Sequence, residues 1–124
     1  MDLHDRTRVS EVMSTPLETV AADVPIREAA RRMHDGDISA LVVTAGGCCI
    51  VTQSDIVGAV AEGKDTAETL VRDVMTEDVE TVTPDLLMEE VAAMMTMYDV
   101  KHLPVVDDDY VGMISSTDVA AHIS

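Results

Sequence analysis

Gly112-Met113-Ile114-Ser115-Ser116-Thr117-Asp118 restates Cys49-Ile50-Val51-Thr52-Gln53-Ser54-Asp55, and Val71-Arg72-Asp73-Val74-Met75-Thr76 restates Ser10-Glu11-Val12-Met13-Ser14. Between these anchors the parts follow one order in both halves. An apolar stretch comes after the methionine, as Leu17-Glu18-Thr19-Val20 and Val79-Glu80-Thr81-Val82. An amphipathic segment follows, then Leu41-Val42-Val43 or Leu103-Pro104-Val105-Val106, a tight turn and a last apolar run. The duplication predicts an α/β fold of two tandem β-α-β-β-α repeats, residues 9–62 and 71–124. Equal halves that each leave a face uncovered are expected to pack about a pseudo-twofold axis, with the cleft between them the default ligand site. Residues 61 to 70 read as the linker.

In the first repeat Ile26, Ala29, Ala30 and Met33 form one helical stripe, with Asp23 placed to cap the start, Pro25 in the first turn and Gly36 at the stop. Arg27, Glu28, Arg31 and Arg32 take the other, solvated face. Leu87, Val91, Met94, Met95 and Tyr98 repeat the stripe after Thr83-Pro84-Asp85. Met88, Met94, Met95 and Met97 read as core and interface filler rather than a soft-metal box, since no Cys or His stands with them. Gly46-Gly47 and Asp107-Asp108-Asp109 read as hairpin turns, the latter a solvated tip rather than a cation site. Ser54 to Ala61 and Thr117 to Ile123 read as closing helices.

The net charge is −16, with 24 Asp plus Glu against 8 Lys plus Arg, and the acidic residues are spread along the whole chain. Such a surface excludes nucleic acid and anionic membrane as general partners, because counter-ion release needs basic groups. Apolar residues make up 47% of the chain and fall in periodic blocks, which argues against disorder. Acidity of this kind suits a cytoplasm of high ionic strength, where screening shortens to about 3 Å at 1 M salt, and the expectation is a halophilic, archaeal source. No apolar run is long enough to span a bilayer and the start has no leader pattern, so a cytoplasmic location is expected. Cys48 and Cys49, adjacent on a strand, point to opposite faces and read as small core residues rather than a disulfide or a redox switch.

Chemistry concentrates where each last strand enters its closing helix. Unpaired N–H groups and hydroxyls there can meet phosphate or sugar oxygens, and a carboxylate can accept two hydrogen bonds from a vicinal diol such as ribose. A single [Ser/Thr]-x-x-Asp is also an ordinary helix cap. Its recurrence as Thr52 to Asp55 and Ser115 to Asp118 favours a binding role, without identifying the base.

The order Val-Met, strand, helix, His102-Leu103-Pro104-Val105-Val106-Asp107, then Gly112 to Asp118, resembles the CBS domain, and the whole chain resembles a tandem CBS pair, or Bateman module, over roughly Val9 to Ile123. The first repeat departs from the pattern at Cys49, where glycine is expected, and at Val42, opposite Pro104. The resemblance implies a regulatory module that binds an adenosine-containing ligand (AMP, ADP, ATP or S-adenosylmethionine), needs no cofactor or metal and is not an enzyme. It implies one composite site of Thr52, Ser54 and Asp55 with Asp78, Val79, Glu80, Val100, Lys101 and His102. A mirror site would join Ser115, Thr117 and Asp118 with Pro16, Leu17, Glu18, Ile38, Ser39 and Ala40. Lys101 and His102 suit the first to a phosphorylated ligand; the neutral pair Ser39-Ala40 suits the second to adenosine, S-adenosylmethionine or nothing. A homodimer through the helices and a separate effector protein are the expected partners. The competing reading is a ligand-free dimerisation or interaction module. Catalysis has no nucleophile-and-base motif, metal cluster or glycine-rich phosphate loop to carry it.

Overall fold

The structure, a computed structural model, describes residues 6–15, 17–44 and 47–122. Its elements are a 3-10 turn at Val9–Glu11, β1 (Thr19–Ala21), α1 (Ile26–Gly36), β2 (Ala40–Thr44), β3 (Cys49–Thr52), α2 (Gln53–Ala61), α3 (Val71–Val74), α4 (Met88–Tyr98), β4 (His102–Asp107), β5 (Asp109–Ser115) and α5 (Ser116–His122). The order realises the predicted α/β repeat. The chain packs into two compact units, one of residues 18–79 and one of residues 1–17 with 80–124. The packed units are thus not the sequence repeats: each Val-Met segment joins the strands and helices of the other repeat.

In the unit of residues 18–79, β1 pairs parallel with β2 across the α1 crossover, and β2 pairs antiparallel with β3. Thr76 continues past β3 through reciprocal bonds with Ile50, at 2.8 and 3.0 Å. Val20, Ala29, Met33, Leu41, Val43, Val51 and Val71 form its buried core. The segment read as a linker has a structural task here. The carbonyls of Thr69 and Thr66 accept the Ile26 and Arg27 N–H groups at 2.9 and 3.1 Å, satisfying two of the orphan donors at the start of α1.

The other unit repeats the plan with Ser14 bonded to Met113 beside β5 and the Met88 N–H given to the Thr7 carbonyl at 2.9 Å. Its core is Val9, Val82, Met88, Val91, Met95, Leu103, Val105 and Ile114. A Cβ on Gly112 would stand 2.8 Å from Met13 Sδ and 2.9 Å from the Ser14 carbonyl oxygen, so the close backbone approach there requires glycine. At the matching place in the first repeat Cys49 is buried in the core, its thiol pushed above its usual range by burial and, secondarily, by Glu77.

Several sequence expectations are corrected. Pro25, not Asp23, is the N-cap of α1; its ring fixes the extended entry and no side chain caps. The left-handed residue that stops α1 is Asp37 (φ 53°), not Gly36, and Asp99 (φ 54°) does the same after α4; aspartate is among the few side chains that tolerate this conformation. The buried stripe of α4 is Met88, Val91 and Met95, matching Ile26, Ala29 and Met33, while Leu87 serves as N-cap and Tyr98 is exposed.

The predicted strand at 79–82 shrinks to a single parallel bridge from Val82 to Val105. In the first repeat the Val42 N–H donates to the Glu18 carbonyl at 3.1 Å. The residue in Val42's place is Pro104, which has no N–H to give Glu80. Asp107, Asp108 and Asp109 are exposed at the tip between β4 and β5, with Asp108 at φ 66°. Gly46, half of the first hairpin's expected turn, lies outside the described residues.

Candidate functional site

Thr52 ends β3 and caps α2. Its N–H donates to Asp55 Oδ2 at 2.9 Å, and its hydroxyl accepts the Asp55 N–H at 3.2 Å. The two residues thus satisfy one another's backbone donors in a capping box. Thr76, from the Val-Met segment, donates its hydroxyl to the same carboxylate at 3.4 Å. Sequence reasoning missed Thr76, although a hydroxyl after Val-Met recurs as Ser14. The Gln53 N–H goes to the Ser39 carbonyl at 3.0 Å, tying the end of the α1–β2 junction to the start of α2. Ser54 takes no part in the cap and is exposed. An open cleft of about 380 Å³ runs beside this junction, lined by Ser54, Asp55, Gly58, Glu62, Lys64 and Asp73 among others. Lys64, placed in the linker by the sequence, brings the cleft's positive charge and sits 3.9 Å from Glu62.

The other unit rebuilds this junction with Ser115 and Asp118. The Ser115 N–H donates to Asp118 Oδ2 at 2.9 Å, the hydroxyl does the same at 2.9 Å, and the Asp118 N–H returns to the Ser115 hydroxyl at 3.2 Å. The Ser116 N–H goes to the Lys101 carbonyl at 2.9 Å, the counterpart of the bond to Ser39. In both copies the capping function is met through Oδ2. Among the described residues Asp118 Oδ1 has no protein donor, and Asp55 Oδ1 has only a marginal contact at 3.5 Å with Thr76. Each carboxylate therefore retains accepting capacity for a ligand diol.

Of the residues implied by the resemblance, Thr52, Ser54, Asp55, Asp78, Val79, Glu18, Ile38, Ser39 and Ala40 belong to the unit of residues 18–79. Thr52 pairs with Ala40 across β2 and β3, and the Val79 N–H holds the Cys48 carbonyl at 3.1 Å. Asp78, just before it, has φ 54°. Leu17, Glu80, Val100, Lys101, His102, Ser115, Thr117 and Asp118 belong to the other unit. There His102 pairs with Ser115 across β4 and β5, Lys101 is exposed beside it, and Thr117 is exposed on α5. Pro16 lies outside the described residues. Among the described residues no group of acidic, His and Cys side chains is arranged to hold a metal ion, and no helix is long and apolar enough to cross a membrane.

The sequence profile of the CBS domain matches residues 9–62 and 71–124. A CBS-domain-containing protein from Agrobacterium tumefaciens superposes with a TM-score of 0.86 at 29% identity, over 98% of this chain and 97% of that one. A CBS domain pair solved in complex with 5′-methylthioadenosine and S-adenosylmethionine gives a TM-score of 0.84 at 31% identity, over 95% of this chain and 100% of its own. The CBS domain-containing protein YhcV of Bacillus subtilis is 29% identical over 92% of this chain and 84% of its length. A homoserine O-acetyltransferase of Methanohalobium evestigatum is 33% identical, but the chain spans only 24% of it. Two matched profile segments, a similar pair covered end to end and two copies of one capped strand-to-helix junction together establish that this chain belongs to the CBS domain family, as a tandem CBS pair.

Proposed function

We propose that the chain is a regulatory, non-catalytic sensor that binds an adenosine-containing ligand, AMP, ADP, ATP or S-adenosylmethionine, at its strand-to-helix junctions. The single observation behind this reading is the paired geometry of Thr52 with Asp55 and Ser115 with Asp118: each carboxylate is fixed through Oδ2 and keeps Oδ1 to accept. A vicinal ribose diol offers two donors to such a group. The similar pair with bound S-adenosylmethionine and 5′-methylthioadenosine supports an adenosyl ligand. The match to an acetyltransferase over a quarter of its length is to one region of a larger chain, which fits a regulatory module better than a catalytic one.

In this reading Asp55, with Thr52 and Ser54, takes the ribose of a nucleotide whose base and phosphates fall to Asp78, Val79, Glu80, Val100, Lys101 and His102. Ser115, Thr117 and Asp118 form the second site with Pro16, Leu17, Glu18, Ile38, Ser39 and Ala40. Binding would act on a separate effector protein by favouring one arrangement of the pair over another, to the extent of its differential affinity. Met97 and Tyr98, 73% and 44% exposed on α4, and Val57, 65% exposed on α2, support a homodimer through the helices; light scattering in molar salt giving the monomer mass would reject it. A halophilic, cytoplasmic setting completes the reading and rests on the charge of −16.

A thermal-shift panel of AMP, ADP, ATP, adenosine and S-adenosylmethionine in molar salt tests the proposal. A concentration-dependent rise in melting temperature with at least one of them is expected. A flat panel would leave the ligand-free interaction module, which the same exposed helix faces favour.

A further inference from the structure

The two repeats carry opposite charge at the same place on their first long helices. Arg27 and Glu89 each follow the buried residue that opens the helix, Ile26 in α1 and Met88 in α4. One turn on, Arg31 stands where α4 has Ala93, and residues four apart share a face. All four are exposed. With three arginines against Glu28 and Asp35, α1 alone among the described helices has a positive net charge, in a chain of −16. Arg32 is spent inside its own unit, on Glu28 at 3.1 Å and the Thr19 carbonyl at 3.0 Å. Arg31 reaches Glu28 only at 3.8 Å, with its side chain 63% exposed. On α4, Glu90 is spent on the helix start, where it accepts the Leu87 N–H at 2.9 Å. Arg27 and Arg31 on one helix, and Glu89 on the other, are thus the charges each face presents outward.

We infer that the chain forms its homodimer crosswise, the α1 face of one copy lying on the α4 face of the second and, through the twofold, the reverse. The inference rests on the homodimer reading and deepens it. Like-on-like pairing would set Arg27 and Arg31 against the same arginines and Glu89 against Glu89, and like charges brought together in an interface oppose association. Crosswise pairing sets cation against carboxylate on both sides of the twofold. It also lays the alkyl stems of the arginines on Met97 and Tyr98, 73% and 44% exposed, where a guanidinium finds an aromatic face as well. Both faces of each copy are then used, which closes the assembly at two.

The test is the dimer dissociation constant of the full chain, by sedimentation at the lowest salt in which it stays folded, for wild type and three variants: Arg27→Gln with Arg31→Gln, Arg27→Glu, and Arg27→Glu with Glu89→Arg. The neutral double variant reads a sign. Crosswise pairing loses an attraction and the dimer weakens by about fivefold or more, since a surface pair is worth up to a factor of about five and the twofold repeats it. Like-on-like pairing would lose a repulsion and tighten. Arg27→Glu is expected to weaken the dimer further, and exchanging the charges in Arg27→Glu with Glu89→Arg to restore most of the wild-type affinity. The substituted positions are exposed, and Gln, Glu and Arg are good helix formers, so the fold is kept; each variant's melting temperature is read alongside. A neutral double variant that dimerises as tightly as wild type or more so, or an exchanged chain no tighter than Arg27→Glu alone, would overturn this inference and leave the homodimer reading intact. A wild type that sediments as a monomer would instead overturn the homodimer reading, and this inference with it.

Discussion

Thr52 and Asp55 hold the entrance of α2 from both ends of its first turn, the Thr52 N–H on Asp55 Oδ2 at 2.9 Å and the Asp55 N–H on the Thr52 hydroxyl at 3.2 Å. The cap and the proposed ribose contact therefore share one side chain, and they separate by substitution. Asp55→Ala removes the acceptor and should cost about 1 kcal/mol of stability as well as affinity. Asp55→Asn keeps an acceptor for the Thr52 N–H and should melt close to wild type while binding the nucleotide more weakly, because the charge assistance is lost. Melting curves and titrations on the pair check this; Asp55→Asn that binds like wild type would leave Asp55 a cap and nothing more.

Backbone approach, not side-chain chemistry, sets the residue at position 112. Gly112→Ala should destabilise by about 1–3 kcal/mol, since the Met13 side chain can move aside but the Ser14 carbonyl, 2.9 Å from the new Cβ, cannot without shifting β5. Gly58→Ala is the control: its Cβ meets nothing within 4 Å inside α2, and a gain of about 0.5–1 kcal/mol is expected. Urea titration of the two variants should give shifts of opposite sign.

Asp85 lies just before α4, and the Thr83 hydroxyl, 2.5 Å from its Oδ1, holds its carboxyl below the usual 3.8. A carboxylate with a depressed folded pKa contributes stability above its unfolded pKa and loses it as pH falls through the folded value. Thr83→Ala should therefore melt lower than wild type near neutrality, and the two curves should converge in acid as pH falls through the folded pKa. A gap that stays constant across the pH range would show that the hydroxyl acts on packing alone.

The net charge of −16 leaves most acidic groups without a basic counterpart, and the pairs of Glu28 with Arg31 and Arg32, and of Lys64 with Glu62, lie at the surface. Self-repulsion should weaken the fold when the screening length grows to about 30 Å near 0.01 M salt. The melting temperature is expected to climb steeply from tens of millimolar to molar potassium chloride. A flat response would remove the case for a halophilic setting.

Much of this was legible in the chain. The recurrence of Gly112 to Asp118 as Cys49 to Asp55 carried the architecture, and the spacing of Ile26, Ala29 and Met33 gave a buried helix face that α4 repeats with Met88, Val91 and Met95. Periodicity records which face is buried but not which partner buries it, so the exchange of the Val-Met segments between packed units was invisible, and with it the contact of Thr76 with Asp55. Pro104 stands out in the sequence against Val42, yet its effect needs the register that sets Val42 against Glu18. The sequence points to Gly36 rather than Asp37 because glycine is the commoner left-handed residue, although a single aspartate accepts that conformation at modest cost.

The most direct measurement is calorimetric titration of AMP and adenosine, in molar salt, into wild type and the Asp55→Ala, Asp118→Ala and Lys101→Ala variants. If the junction at Asp55 takes the ribose of a phosphorylated ligand that reaches Lys101, Asp55→Ala weakens AMP by about ten- to a hundredfold, the equivalent of about 1.5–3 kcal/mol for charge-assisted bonds. Asp118→Ala should then weaken AMP far less, and Lys101→Ala should weaken AMP more than adenosine. Equal losses at Asp55 and Asp118, a Lys101 effect independent of phosphate, or no binding heat with wild type would contradict it.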